Sequence, residues 1–142
     1  SMKNLLFIPL LLISCLCFAQ DAKEIIGEPI KIGNLLVAEY DFPNEMNWED
    51  AKKACRTLGK GWRLPTKAEL NILYKNRKKM GNVSDWEGYW TSTLVPKQLW
   101  DPTWTSDDIG EGIVWRQYFT SGIQGYASIS NNKCVVRAVK LL

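Results

Sequence analysis

Between Asn47 and Gly81 the chain carries two helix-start signals separated by a rigid corner, and this arrangement constrains the fold more than any other stretch. In "NWEDAKKACRTLG", Asn47 is placed to cap a helix. Trp48, Ala51, Cys55 and Leu58 recur along one face at helical spacing, while Lys52, Lys53 and Arg56 lie elsewhere. Gly59 supplies the stop, since glycine takes the left-handed conformation a helix end requires. In "GWRLPTKAEL", Gly61 lets the chain turn away, Trp62 and Leu64 drop toward a core, and Pro65 biases Leu64 to an extended shape. Thr66 and Glu69 then form a capping box that starts a second helix, "KAELNILYKNRKKM", with Leu70 and Leu73 as its apolar stripe and Gly81 as its end. The corner fixes two helices against each other. It is scaffold, not chemistry.

The flanking segments read as β-structure. In "EPIKIGNLLVAEYDFP", apolar residues on both sides of Gly33-Asn34 predict a hairpin whose second strand runs from Leu35 to Tyr40. Further strands are expected at Tyr89 to Thr93, at Gly112 to Phe119, in "QGYASIS" and in "KCVVRAVK", with turns at Ser121-Gly122 and Asn131-Asn132. The first two of these are separated by "LVPKQLWDPTWTSDDIGEG", an irregular connection long enough to suggest function.

Residues 1–19 have the layout of a secretory signal peptide: a basic start at Lys3, the apolar run "LLFIPLLLISCLCFA" and small Ala19 at the cut, with Ser1 an addition ahead of Met2. Cleavage there leaves one domain, residues 20–142, with no transmembrane segment. "LISC" offers the alternative of lipoprotein anchoring through Cys15, although the apolar run continues past that cysteine through Leu16 and Phe18. The protein is therefore expected to be secreted, periplasmic or at the cell surface.

Charge and composition then exclude whole classes. With Lys3 removed, seventeen basic residues face fifteen acidic ones, which is no footprint for nucleic acid. The one dense basic run, Lys75 to Lys79, falls at a helix end, where cations complement the dipole. There is no histidine, so Ser-His-Asp triads, Cys-His pairs and the commonest metal ligand are all absent. Ser92 and Thr93 accordingly have no imidazole base to activate them. Two cysteines survive processing, Cys55 and Cys134, and in an exported chain they are expected to form one disulfide. Closing so long a loop is worth about 4–5 kcal/mol in the chain-entropy account.

The order of elements, with one cysteine on the first helix and one on the last strand, is similar to a C-type lectin-like domain, an α+β fold with two helices packed on antiparallel sheets and a long loop. In that fold a disulfide joins the first helix to the final strand, as Cys55 and Cys134 would. More closely, "WEDAKKACRTLGKGWRLPTKAEL", "YWTST" and "CVVRAVK" resemble the Lcl C-terminal domain family and the related major-paralogous-domain family of secreted bacterial proteins. The resemblance spans nearly all of residues 20–142 and implies an exported lectin-like module, without a defined ligand. Arg63 to Glu69 is also similar to an element of the formylglycine-generating enzymes, which raises an oxidoreductase alternative. Those enzymes use a late cysteine pair, however, and here Cys134 stands alone late in the chain.

Calcium-dependent sugar-binding lectins carry paired carboxylate and carboxamide ligands in the long loop, which neither "DPT" nor "SNNK" supplies. Asp107, Asp108 and Glu111 are hard oxygen ligands of the kind calcium takes, but acidic residues beside glycine more often serve as solvated turn residues. No cofactor or metal is expected, with calcium the one alternative. Aromatic residues crowd the same region: Trp86, Tyr89, Trp90, Trp100, Trp104, Trp115, Tyr118 and Phe119. Trp90 and Trp115, on strands, are expected in the core, whereas Trp100 and Trp104 flank Pro102 in the loop and suit an exposed stacking platform. Arg63 and Arg137 are expected in structural ion pairs, with Glu69 or Glu49 as partners.

The expectation is a non-enzymatic, monomeric binding or adhesion module of the bacterial cell surface. It would recognise a glycan or a protein surface through the loop from Leu94 to Gly112, with Trp100 and Trp104 stacking and Asp101, Asp107 and Asp108 accepting hydrogen bonds. A structural component of a surface assembly is the remaining alternative.

Overall fold

The computed structural model describes residues 21–84 and 87–142. The expected signal peptide, Cys15 and Trp86 lie outside the described residues. Residues 21–26 are helical, and a hairpin follows, β1 (Ile30–Ile32) and β2 (Leu35–Val37). Ile32 pairs with Leu35, so Gly33 and Asn34 make a two-residue loop, with Gly33 at φ 62°. β2 is shorter than the expected Leu35 to Tyr40. The carbonyls of Ala38 and Glu39 instead accept from Arg137 Nη1, each at 3.0 Å.

Helix α1 (Trp48–Thr57) starts at Asn47, whose side chain accepts from the Asp50 amide, and it buries Trp48, Ala51 and Cys55. Helix α2 (Lys67–Lys75) opens with both halves of the Thr66–Glu69 capping box and buries Leu70 and Leu73. The single helix expected over residues 67–80 breaks at Asn76, where φ is −105° and the side-chain Nδ2 donates back to the Ile72 carbonyl. A separate turn, α3 (Arg77–Met80), follows.

Next come β3 (Gly88–Leu94), the long loop, β4 (Ile113–Tyr118), β5 (Gln124–Ser128) and β6 (Val139–Leu141). The strands make two antiparallel sheets, ordered β1-β2-β6 and β3-β4-β5. The expected strand "KCVVRAVK" is divided between them. Cys134 bridges Met46, Val135 pairs in parallel with Tyr89, and only from Val139 does the chain join β2. Val139 also bridges Arg63 in the corner after α1, so the last strand ties the helix pair to the first sheet.

The core falls into two clusters. One gathers α1, the corner and the second sheet around Trp48, Trp62, Trp90 and Val114, and the other packs α2 against Leu35, Tyr89 and Phe119. Trp90 is 1% exposed and its indole donates to the Met46 carbonyl at 2.7 Å, so the buried ring leaves no polar atom orphaned. Trp115, expected in the core, is half-buried instead.

Both arginines are paired, one as expected. Arg63 grips Glu69 through two bonds of 2.7 and 2.9 Å. Arg137 takes neither Glu69 nor Glu49. Its Nε donates to Asp41 at 2.6 Å while Nη2 donates to the Asn82 carbonyl at 2.9 Å. Asp41 lies two residues beyond Glu39 and far from Arg137 in sequence, so only the tertiary fold brings this pair together. Removing one partner of such a buried pair typically costs about 3–5 kcal/mol.

The expected Cys55–Cys134 bridge is not formed: both are free thiols, buried in the same core cluster. Burial pushes Cys55 up to about 12 and Cys134 up to about 11, so in this reduced state both stay protonated and unreactive at neutral pH. Among the described residues no helix is long and apolar enough to cross a membrane.

Candidate functional site

The long loop leaves and re-enters the second sheet at one point. The Val95 amide donates to the Ile113 carbonyl at 2.8 Å, so residues 96–112 form an excursion closed at its base. The loop is more ordered than its sequence suggests. It holds a 3-10 turn at Lys97–Leu99 and a one-turn helix, α4 (Ser106–Ile109), capped by a Thr105–Asp108 box.

That order consumes part of the expected ligand set. The Trp100 indole donates to the Val95 carbonyl at 3.0 Å, pinning a half-buried ring to the loop's base, with the Lys97 ammonium 5.7 Å from the ring centre. Asp101 accepts from the hydroxyl and amide of Thr103 at 2.7 and 2.8 Å, and these bonds hold its carboxyl below the usual range. Asp108 accepts from the amide and hydroxyl of Thr105, both at 2.8 Å, and is likewise held down. Both side chains are exposed and keep spare lone pairs, but their first task is to shape the loop. Asp107 is exposed, and its backbone carbonyl accepts from Asn131 Nδ2 at 2.6 Å. Gly110, at φ 55°, passes so close to Ser128 and Ser130 that a Cβ would strike their hydroxyls. The loop therefore lies folded against the end of β5.

Trp104 carries the loop's contact with the sheet. Its ring meets Tyr126 edge-on, centroids 5.6 Å apart, and Tyr126 in turn meets Trp115 at 4.6 Å. Trp115 and Tyr126 are direct cross-strand partners on β4 and β5. On Trp115 sits the Lys67 ammonium, 3.4 Å from the ring centre, at the first turn of α2. A row thus runs Trp104, Tyr126, Trp115, Lys67 from the loop to the second helix, with Tyr126 40% exposed at its middle.

Beside that row opens a cleft of about 400 Å³, lined by Thr66, Lys67, Ala68, Asn71, Thr93 and Gln124. Its floor is a set of carboxamides. Fully buried Gln117 donates through Nε2 to Asn71 Oδ1 at 3.0 Å and to the Gly122 carbonyl at 3.1 Å. Gln124 Nε2 donates to Gln117 Oε1 at 3.3 Å and to the Lys67 carbonyl at 3.0 Å. Thr93 Oγ1 accepts the Lys67 amide at 2.9 Å.

The site therefore joins Trp104 to residues the sequence reading did not single out, Tyr126, Lys67, Asn71 and Gln124. Trp100, Asp101, Asp107 and Asp108 remain on the loop itself. Alternation along β4 and β5 was the available signal for Tyr126, since a turn between Tyr118 and Gln124 sets Trp115 opposite it. Among the described residues no three His, Cys, Asp or Glu side chains gather to hold a metal ion.

The family model of the Lcl C-terminal domain matches residues 21–140. No curated protein matches. Among solved structures, a chain of the complex between a mutant von Willebrand factor A1 domain and botrocetin aligns at 14% identity and a TM-score of 0.57, over 82% of this chain and 98% of that one. EMS16, described as an antagonist of the collagen receptor integrin alpha2beta1, aligns at 13% identity and 0.56, over 80% and 97% of the two chains. The snake venom toxin convulxin aligns at 18% and 0.52, over 80% and 92%. Identities this low establish a common fold, C-type lectin-like, and nothing more.

Proposed function

This chain belongs to the Lcl C-terminal domain family, and from that premise we propose that it is an exported, non-enzymatic binding module of the cell surface. Its ligand is a glycan or a protein surface, met by the face of the loop from Leu94 to Gly112. The observation that carries this reading is the aromatic row, in which a loop tryptophan and an exposed β5 tyrosine lie side by side and Lys67, at the row's far end, also lines a cleft. Aromatic rings with one accessible face suit the apolar side of a sugar or the anchor residue of a partner protein. That EMS16, of the same fold, is described as an antagonist of an integrin supports a protein surface as one class of partner.

The non-enzymatic part is supported by the chemistry to hand. The chain has no histidine, and both thiols of the mature chain are pushed well above neutrality by burial. An oxidoreductase of the formylglycine-generating type would need accessible, redox-active thiols instead.

Titration of the mature protein against a glycan library and matrix proteins tests the assignment. Replacing Trp100 and Trp104 together by alanine is expected to abolish the detected binding. If every affinity survives that double substitution, the loop is not the site.

A further inference from the structure

We propose that the cleft at the start of α2 is a saccharide subsite, continuous with the aromatic row, that takes the hydroxyls of a neutral glycan without calcium. This rests on the reading of the chain as a binding module and names the chemistry of its ligand.

Gln117 is an uncharged polar side chain with no exposed surface on the middle strand of the second sheet. Its two bonds orient it, and through it they orient its neighbours. Gln124 donates to Gln117, and Gln117 donates to Asn71, so the three carboxamides point the same way. The inward bonds consume the Gln124 nitrogen and the Asn71 oxygen. What faces the cleft is the converse pair, the Asn71 Nδ2 donor and the Gln124 Oε1 acceptor, neither of which has a protein hydrogen-bond partner among the described residues. Thr93 accepts the Lys67 amide through Oγ1 at 2.9 Å, which leaves its hydroxyl proton to donate, whereas the Thr66 hydroxyl is engaged with Glu69.

A lining of this kind, with donors and acceptors interleaved and no carboxylate, complements groups that both donate and accept. Sugar hydroxyls do both. The cleft volume falls within the roughly 300–1,000 Å³ of small-ligand sites, and the exposed Tyr126 ring continues the surface toward Trp104 for a second sugar to stack on.

Charge argues for a neutral glycan over an anionic one. The loop that borders the row carries Lys97 against Asp101, Asp107, Asp108 and Glu111, so a polyanion would meet an excess of like charge there. The Lys67 ammonium lies over the Trp115 ring, where the aromatic face already engages it. Calcium has no part in this scheme, since the cleft is lined by carboxamides, hydroxyls and the Lys67 ammonium and by no carboxylate.

The test is calorimetric titration of the mature protein with cellohexaose, maltohexaose and chitohexaose, each with calcium and with a chelator, beside a heparin hexasaccharide. At least one neutral hexasaccharide is expected to bind with an affinity unchanged by chelation. Asn71→Leu and Gln124→Leu are each expected to weaken it about tenfold, the scale of one lost hydrogen bond with its partner stranded. Ala68→Tyr, on an exposed helix position that removes no bond, is expected to block the cleft while thermal unfolding stays that of the parent. Binding of none of the neutral sugars, binding of heparin alone, or binding that needs calcium overturns the proposal. If the Trp100/Trp104 double substitution abolishes neutral-sugar binding while all three cleft variants retain it, the cleft is wrong and the loop reading stands. The opposite pattern keeps the cleft and removes the loop.

Discussion

Cys55 and Cys134 concentrate the chemistry that can change within this core. Burial raises both thiols from an ordinary value of 9.0, and at Cys134 the Arg116 guanidinium, whose buried Nε has no hydrogen-bond partner among the described residues, draws the thiol partly back. The folded reduced state therefore holds protons that the unfolded chain releases. Its stability is complete below about pH 9 and declines as pH rises through about 11 and then about 12. The slope is about 1.4 kcal/mol per pH unit for each thiol. In an oxidising compartment, the destination proposed for this chain, a Cys55–Cys134 bridge would leave no thiol to ionise. Denaturant unfolding between pH 8 and about 9.5, below the range where buried Tyr89 adds its own decline, should then show a fall in reductant and a flat profile without it. Identical profiles in both conditions would mean that the pair stays reduced.

At the level of elements, the start of α2 depends on a single carboxylate. Glu69 receives two bonds from Arg63 and one from the Thr66 amide, closing both the helix cap and the corner. The Arg63 bonds come first among the causes that hold its carboxyl below the ordinary 4.5. A lowered value means that its contribution is present above about pH 4.5 and is lost as pH falls through the folded-state value. Glu69→Gln keeps an acceptor for the cap but removes the charge, and is expected to cost about 1 kcal/mol at pH 7. The Arg63 side chain is 36% exposed, so solvent screening keeps the figure modest. Urea unfolding at pH 7 and pH 3 should show the difference between parent and variant shrinking in acid. A constant difference would assign the effect to the cap alone.

On the scale of the whole molecule, body and excursion are separable. None of residues 96–111 is buried, and the Val95–Ile113 hydrogen bond already closes the base. Replacing residues 97–110 by a two-residue turn is expected to change unfolding free energy by less than about 2 kcal/mol, because closure entropy varies slowly with loop length. The same excision removes Trp100 and Trp104, and ligand binding should go with them. Loss of cooperative unfolding in the shortened protein would show that the loop is part of the core.

What residues 47–80 do could be read locally. Asn47, Thr66 and Glu69 act on amides three positions away, and Gly33 acts on its own turn, so their effects are written within a few residues. The Thr105–Asp108 box had the same legible form inside a loop that reads as irregular. The partner of Arg137 and the division of the last strand between two sheets depended instead on segments tens of residues apart meeting in one register. No local spacing encodes that meeting. The amide row from Gln124 through Gln117 to Asn71 belongs to the same class: each residue is an ordinary polar side chain in sequence, and only the packing of α2 on β4 and β5 aligns them, because hydrogen bonds between distant elements exist only once the burial that unites those elements has occurred.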